Sequence, residues 1–233
     1  MKIQSYHSAE RALTAASETL VSIISASKSQ PFHIALSGGT SIYQLFHLWV
    51  SKYKESIPWS RLRFYWVNEA CVPPSSPDSH YGNAEKILFI PLGIPNANIH
   101  RIFGEEVPEM EAKRYSEIIK WELPGCSPLP RFDCCILELG GHGEIASISS
   151  DETELITNPN LYAVTRHPFN AHTHITMTGT TLLKSRNLLV TAVGSEKHDI
   201  IKHLVTGDSE TPAAQLLKRS PKATIFTDYP IEK

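Results

Sequence analysis

The segment Gly140-Gly141-His142-Gly143-Glu144 sets an imidazole and a carboxylate among glycines, directly after the apolar run Cys134-Cys135-Ile136-Leu137. A strand ending in such a turn delivers its side chains to the carboxyl edge of a sheet, where α/β proteins keep their ligands. Either His142 or Glu144 can act as a general base near neutral pH if its pKa is suitably tuned. Two earlier segments share this strand-then-turn pattern. Ser37-Gly38-Gly39-Thr40-Ser41 follows the run Phe32 to Leu36 and opens a helix, whose free amides and dipole favour an anion such as phosphate. It is neither a Walker loop nor a dinucleotide fingerprint, and a Gly-Gly at that place is also an ordinary turn. Asn68-Glu69-Ala70-Cys71-Val72-Pro73-Pro74, with Pro77-Asp78-Ser79-His80-Tyr81-Gly82 after it, reads as a rigid polar loop leaving the same edge, suited to one wall of a pocket.

These loops need a scaffold, and the apolar pattern alternates between helical and strand period, as βαβ units do. Ser8 is a cap for a helix carrying Leu13, Ala16, Leu20, Ile23 and Ile24 inward. Strands are expected at Phe32 to Leu36, Arg63 to Val67, Asp133 to Leu137, Tyr162 to Val164, Thr173 to Met177, Asn187 to Val193 and Ala223 to Phe226. Helices are expected from Ser41 to Val50, from Tyr81 to Leu88, from Pro108 onward, after Ser195 as a cap for Lys197 to Leu204, and after Thr211-Pro212. The fold class is therefore α/β, a mainly parallel sheet with helices on both faces. No internal repeat or low-complexity linker breaks the chain, so residues 1–233 read as one domain.

Composition narrows the function. The chain has 233 residues, of which 41% are hydrophobic and 20% charged, and a formal net charge of -2. Neither Lys nor Arg forms a run that would track a phosphate backbone, which points away from nucleic acid and anionic membranes and toward a small-molecule partner. The N-terminal residues lack an apolar core of signal-peptide length, and no stretch is apolar for the roughly 20 residues a membrane helix needs; a cytoplasmic location is expected. The four cysteines, Cys71, Cys126, Cys134 and Cys135, include no Cys-x-x-Cys pair and read as reduced structural thiols. His167, His172 and His174 lie close together, as do His142 and Glu144, but neither group forms a tetrahedral ligand set, so neither a metal nor any other cofactor is expected.

Three loops in this order, each after a strand, resemble the 6-phosphogluconolactonase family, related to the glucosamine-6-phosphate deaminases. Ser37-Gly38-Gly39-Thr40-Ser41-Ile42 stands where that family typically has Ser-Gly-Gly-Ser-Thr-Pro, and Asn68-Glu69-Ala70-Cys71-Val72-Pro73 with Asp78-Ser79-His80-Tyr81-Gly82 where it has Asp-Glu-Arg-x-Val-Pro and Asp-Ser-Asn-Tyr-Gly. The likeness continues through His174-Ile175-Thr176-Met177-Thr178, Gly194-Ser195-Glu196-Lys197 and Pro212-Ala213. It implies hydrolysis of 6-phosphogluconolactone, a step of the pentose phosphate pathway, on a six-carbon sugar-acid phosphate. Ser37, Gly38, Gly39, Thr40, Ser41, Asn68, Glu69 and Lys197 are the implied substrate and phosphate contacts.

The third loop departs from the family's Gly-x-Asp-Gly-His-Thr-Ala-Ser. Glu144 occupies the place of the histidine that activates water, His142 that of the aspartate, Asn68 that of the second-loop aspartate and Ala70 that of the arginine. Two readings follow. In one the chain is a lactonase with Glu144 as base, helped by His142. A carboxylate of ordinary pKa, about 4.3, is a weak base unless its surroundings raise it. In the other the chain is a non-catalytic sugar-phosphate-binding or regulatory protein that has lost the base and the arginine.

Overall fold

The structure, a computed structural model, describes residues 1–123, 130–166 and 172–231. In chain order its main elements are β1 (Lys2–Ser5), α1 (Ala9–Ala26), β2 (Phe32–Leu36), α2 (Thr40–Lys52), β3 (Leu62–Trp66), β4 (Asn68–Ala70), α3 (His80–Ala84), α4 (Ile90–Leu92) and α5 (Pro108–Glu122). The second half holds β5 (Cys134–Glu138), β6 (Tyr162–Arg166), β7 (Thr173–Met177), α6 (Gly179–Lys184), β8 (Leu188–Ala192), α7 (His198–Thr206), α8 (Pro212–Lys218) and β9 (Ala223–Thr227).

Six strands form one parallel sheet in the order β1-β9-β8-β5-β2-β3, flanked by helices. Parallel strands covered on both faces have no polar side to present, which is why Phe32–Leu36 and Leu188–Ala192 are buried at every position. From β2 the chain steps outward to β3, then returns to place β5 on the other side of β2 and continues to β8 and β9. The order therefore reverses between β2 and β5, and the crevice outside the carboxyl ends of those two strands is where a ligand is expected in such a sheet.

A second sheet, β4-β7-β6, is antiparallel. Val67 joins the two: its N–H donates to Leu36 in the parallel sheet and its carbonyl accepts from Met177 in the antiparallel one. Asn68 to Ala70 thus forms a short buried strand rather than the loop expected from its sequence, because β7 offers it a partner in register, with Ala70 opposite His174, 104 residues away.

Other expectations shift by a residue or two, and a few change in kind. The helix expected over Tyr81 to Leu88 runs as α3, a wider π turn at Glu85–Phe89 and α4. Ser195 does not cap the following helix: Ser195–Lys197 is a 3-10 turn entered from Gly194 at φ 104, and α7 begins at His198. β1 and α6, absent from the sequence reading, are short; β1 finds its place only by pairing with β9 at the sheet edge. Cys134 and Cys135 are buried and free, and burial pushes the Cys135 thiol up to about 12, so both stay protonated; Cys126 lies outside the described residues. Among the described residues no helix is long and apolar enough to cross a membrane.

Candidate active site

The carboxyl ends of three adjacent strands, β8, β5 and β2, supply three turns that meet over the crevice. From β2 comes Ser37-Gly38-Gly39, leading into α2 with Gly39 as its N-cap at φ 119. The N-cap residue has no side chain to serve this helix; instead the Ser41 N–H in its first turn donates to Glu138 Oε1 at 3.3 Å, an acceptor brought from the end of β5. Gly38 is held close: a Cβ there would overlap the His80 imidazole.

From β5 comes the turn that sequence marked out. The Gly140 N–H donates to the Glu144 carbonyl (2.9 Å) and the Gly143 N–H to the Gly140 carbonyl (3.1 Å), with Gly143 at φ 81. The turn ends in two consecutive left-handed non-glycine residues, Ala146 (φ 54) and Ser147 (φ 58). Such conformations persist only where the surroundings hold them, and they concentrate at functional sites. Ser147 is held by its side chain. Ser37 Oγ donates to Asn68 Oδ1 (2.7 Å), Asn68 Nδ2 donates to Ser147 Oγ (2.6 Å), and Ser147 Oγ lies 3.2 Å from His174 Nδ1. This relay ties the β2 turn, β4, the β5 turn and β7 together.

From β8 comes the Ser195–Lys197 turn, whose Lys197 side chain is 12% exposed and whose ammonium lies 3.9 Å from Glu138 Oε1 at the end of β5. The turns enclose a cavity of about 250 Å³ lined by Ser37, Gly38, Gly39, Thr40, Asn68, His80, Glu138, Gly140, Glu144, Ile145, Ala146, Ser147, His174 and Lys197. That is smaller than the roughly 300–1,000 Å³ of drug-sized pockets, and most of its side chains are polar, as suits a compact charged ligand.

Of the residues singled out from sequence, seven share this cavity: Ser37, Gly38, Gly39, Thr40, Asn68, Glu144 and Lys197. Three do not line it. Ser41 is buried beneath, its hydroxyl 2.7 Å from Thr191 Oγ1, and it offers the site only its N–H. Glu69 points away and receives the backbone N–H groups of Ala70 (3.0 Å), His80 (2.6 Å) and Tyr81 (2.7 Å), so it anchors α3. His142 is exposed, and its backbone N–H donates to the Glu144 carboxylate at 3.0 Å. Ala70 is fully buried on β4 and does not line the cavity either.

Three lining residues escaped the sequence reading. His80 lies 2.8 Å through Nδ1 from the Asn68 carbonyl; a carbonyl only accepts, so Nδ1 carries the proton and the lone pair of the neutral ring is on Nε2. His174 was weighed as a metal ligand and instead joins the Ser147 relay, its ring centroid 5.8 Å from that of His80. Glu138 was passed over as the end of an apolar strand, although an acidic residue closing such a run is itself a signal. His172 contacts Asp78 at 3.2 Å, and His167 lies outside the described residues. Among the described residues no three His, Cys, Asp or Glu side chains are grouped to hold a metal ion.

A sequence model described as glucosamine-6-phosphate isomerases/6-phosphogluconolactonase matches residues 7–226. The chain belongs to this family. Among its relatives, the 6-phosphogluconolactonase of Haemophilus influenzae is 35% identical over 210 residues, 88% of each chain. That of Treponema pallidum is 33% identical over 168 residues, 72% of this chain and 70% of the other. A crystal structure of a devB protein superposes with a TM-score of 0.87 at 29% identity, covering 97% of this chain and 95% of that one. The glucosamine-6-phosphate isomerase/6-phosphogluconolactonase match thus spans all three turns of the cavity.

Proposed function

We propose that the chain hydrolyses 6-phosphogluconolactone to 6-phosphogluconate, a pentose phosphate pathway step and the activity for which the relatives above are named. The observation that carries this reading is that one cavity at the sheet's reversal point gathers groups of two kinds, the start of α2 with Lys197 and the Glu144 carboxylate. The first kind suits a phosphate, bound by N–H groups at a helix N-terminus and one ammonium. The second supplies the base. Glu144 takes a proton from water as the water oxygen attacks the lactone carbonyl, and the tetrahedral oxyanion collapses by breaking the ring ester C–O bond, with the proton passing to the departing alkoxide. The Ser37-Asn68-Ser147-His174 relay fixes four of the cavity's lining side chains. We infer a cytoplasmic enzyme acting on a small sugar phosphate, without nucleic acid as partner, since the basic residues form no track.

The test is a hydrolysis assay on freshly generated 6-phosphogluconolactone, corrected for spontaneous hydrolysis. Wild type should exceed the spontaneous rate. Glu144→Gln should fall to it, a loss of about 10²–10⁴-fold, with affinity for 6-phosphogluconate kept. If Glu144→Gln retains the wild-type rate while His80→Gln abolishes it, the base is His80. A wild type that binds 6-phosphogluconate without accelerating hydrolysis is a sugar-phosphate-binding protein, and the lactonase reading falls.

A further inference from the structure

The groups proposed to receive the phosphate already engage an anion. Glu138, the last residue of β5, turns its carboxylate over the N-terminus of α2, where Oε1 accepts from the Ser41 N–H at 3.3 Å and lies 3.9 Å from Lys197 Nζ. The approach is close enough that a Cβ on Gly39 would overlap the carboxylate. The helix amides and the ammonium that suit a substrate phosphate are thus the groups Glu138 now engages. A dianionic phosphate brought beside an ionised, 13% exposed carboxylate meets like-charge repulsion in a poorly solvated place.

We propose that Glu138 is a specificity-determining residue that makes phosphate binding proton-coupled: the phosphate enters this subsite as Glu138 gains a proton, and the resulting carboxylic acid donates a hydrogen bond to it. Neutral, the side chain no longer competes for Lys197 and the amides, and it adds a donor where the ionised form is only an acceptor. Its surroundings favour that change. Burial, then the nearby Glu196, pushes the Glu138 carboxyl above the ordinary carboxylate range, while Lys197 and Ser41 hold it back. The other titratable groups facing the same cavity are Glu144 from the β5 turn, His80 from α3 and His174 from β7.

The proposal rests on reading this cavity as a sugar-phosphate site, so the test uses two probes, inorganic phosphate and 6-phosphogluconate, and scores lactone turnover separately. Calorimetry on wild type at pH 8, where the phosphate is dianionic, in two buffers of different ionisation enthalpy should show uptake of about one proton per ligand. Glu138→Gln, which fixes the neutral shape, should bind both probes at least about tenfold more tightly than wild type at pH 8, without that uptake. The gap between the two proteins should close as the pH falls to 5.5; comparing them cancels the titration of the ligand and of the two histidines. Phosphate binding with proton uptake and no lactone turnover supports the proposal and overturns the lactonase reading instead. Turnover with equal affinities and no uptake overturns the proposal alone, as does weaker phosphate binding by Glu138→Gln. No binding of either probe by either protein also overturns it. Because the uptake is read on wild type, the outcome does not depend on the variant folding.

Discussion

At the scale of single residues, the site is a set of short polar side chains whose partners decide their roles. Lys197 is the cation lining the cavity, and it is nearly buried, so its charge is little screened by solvent. Lys197→Ala is expected to weaken 6-phosphogluconate binding by about 1–3 kcal/mol, read by calorimetry at fixed salt; unchanged affinity removes it from the site. Asn68 is the hub of the relay, donating to Ser147 and accepting from Ser37. An aspartate at this position has no N–H for Ser147, so the amide matches the donor pattern seen here. Glu144 and Lys197 were legible in sequence because their motifs flank recognisable strands. That His142 does not line the cavity was not, since where a turn sends a side chain depends on backbone torsions that residue types alone leave open.

Elements hold those residues through their ends. The turn after β5 is pinned by α8: the Ala213 N–H donates to the Gly143 carbonyl at 2.9 Å, and a Cβ on Gly143 would overlap the Thr211 side chain, which itself caps α8. Gly143→Ala combines that clash with a left-handed φ and should cost about 1–3 kcal/mol in urea unfolding and displace Glu144, lowering turnover. α3 is anchored differently, by the buried Glu69 carboxyl. Burial pushes it up to about 8, against three backbone N–H donors and Arg101 that lower it. A carboxyl that holds its proton more tightly folded than unfolded contributes stability that is full below pH about 4 and is lost as the pH rises toward 8. Unfolding free energies at pH 5, 6.5 and 8 should therefore fall more steeply for wild type than for Glu69→Gln; parallel curves contradict this.

For the whole molecule, the decisive feature is how the parallel sheet ends and the antiparallel one begins. β3 is an edge strand, and the backbone of Trp66 at its end is completed by tyrosines from other layers: the Tyr115 hydroxyl accepts from its N–H (2.9 Å), and the Tyr162 hydroxyl donates to its carbonyl (2.7 Å). Tyr115 also donates to the His100 carbonyl, so Tyr115→Phe leaves the buried Trp66 N–H and the half-buried His100 carbonyl without that partner and should destabilise the fold by about 1–3 kcal/mol in chemical denaturation. The α/β class, most of the parallel strands and the glycine-bearing turns after β2 and β5 were readable from the residues alone, because hydrophobic period and turn chemistry are local properties, and the family followed from the motifs the chain carries. Only the tertiary structure decided that Asn68 to Ala70 is a strand, that Glu69 and Ser41 serve the scaffold, and that His80, His174 and Glu138 stand in the cavity. Those outcomes depend on pairings such as β4 with β7 and Glu138 with the start of α2, between residues 97 to 108 positions apart, and no local pattern encodes which distant backbone will be there to receive them.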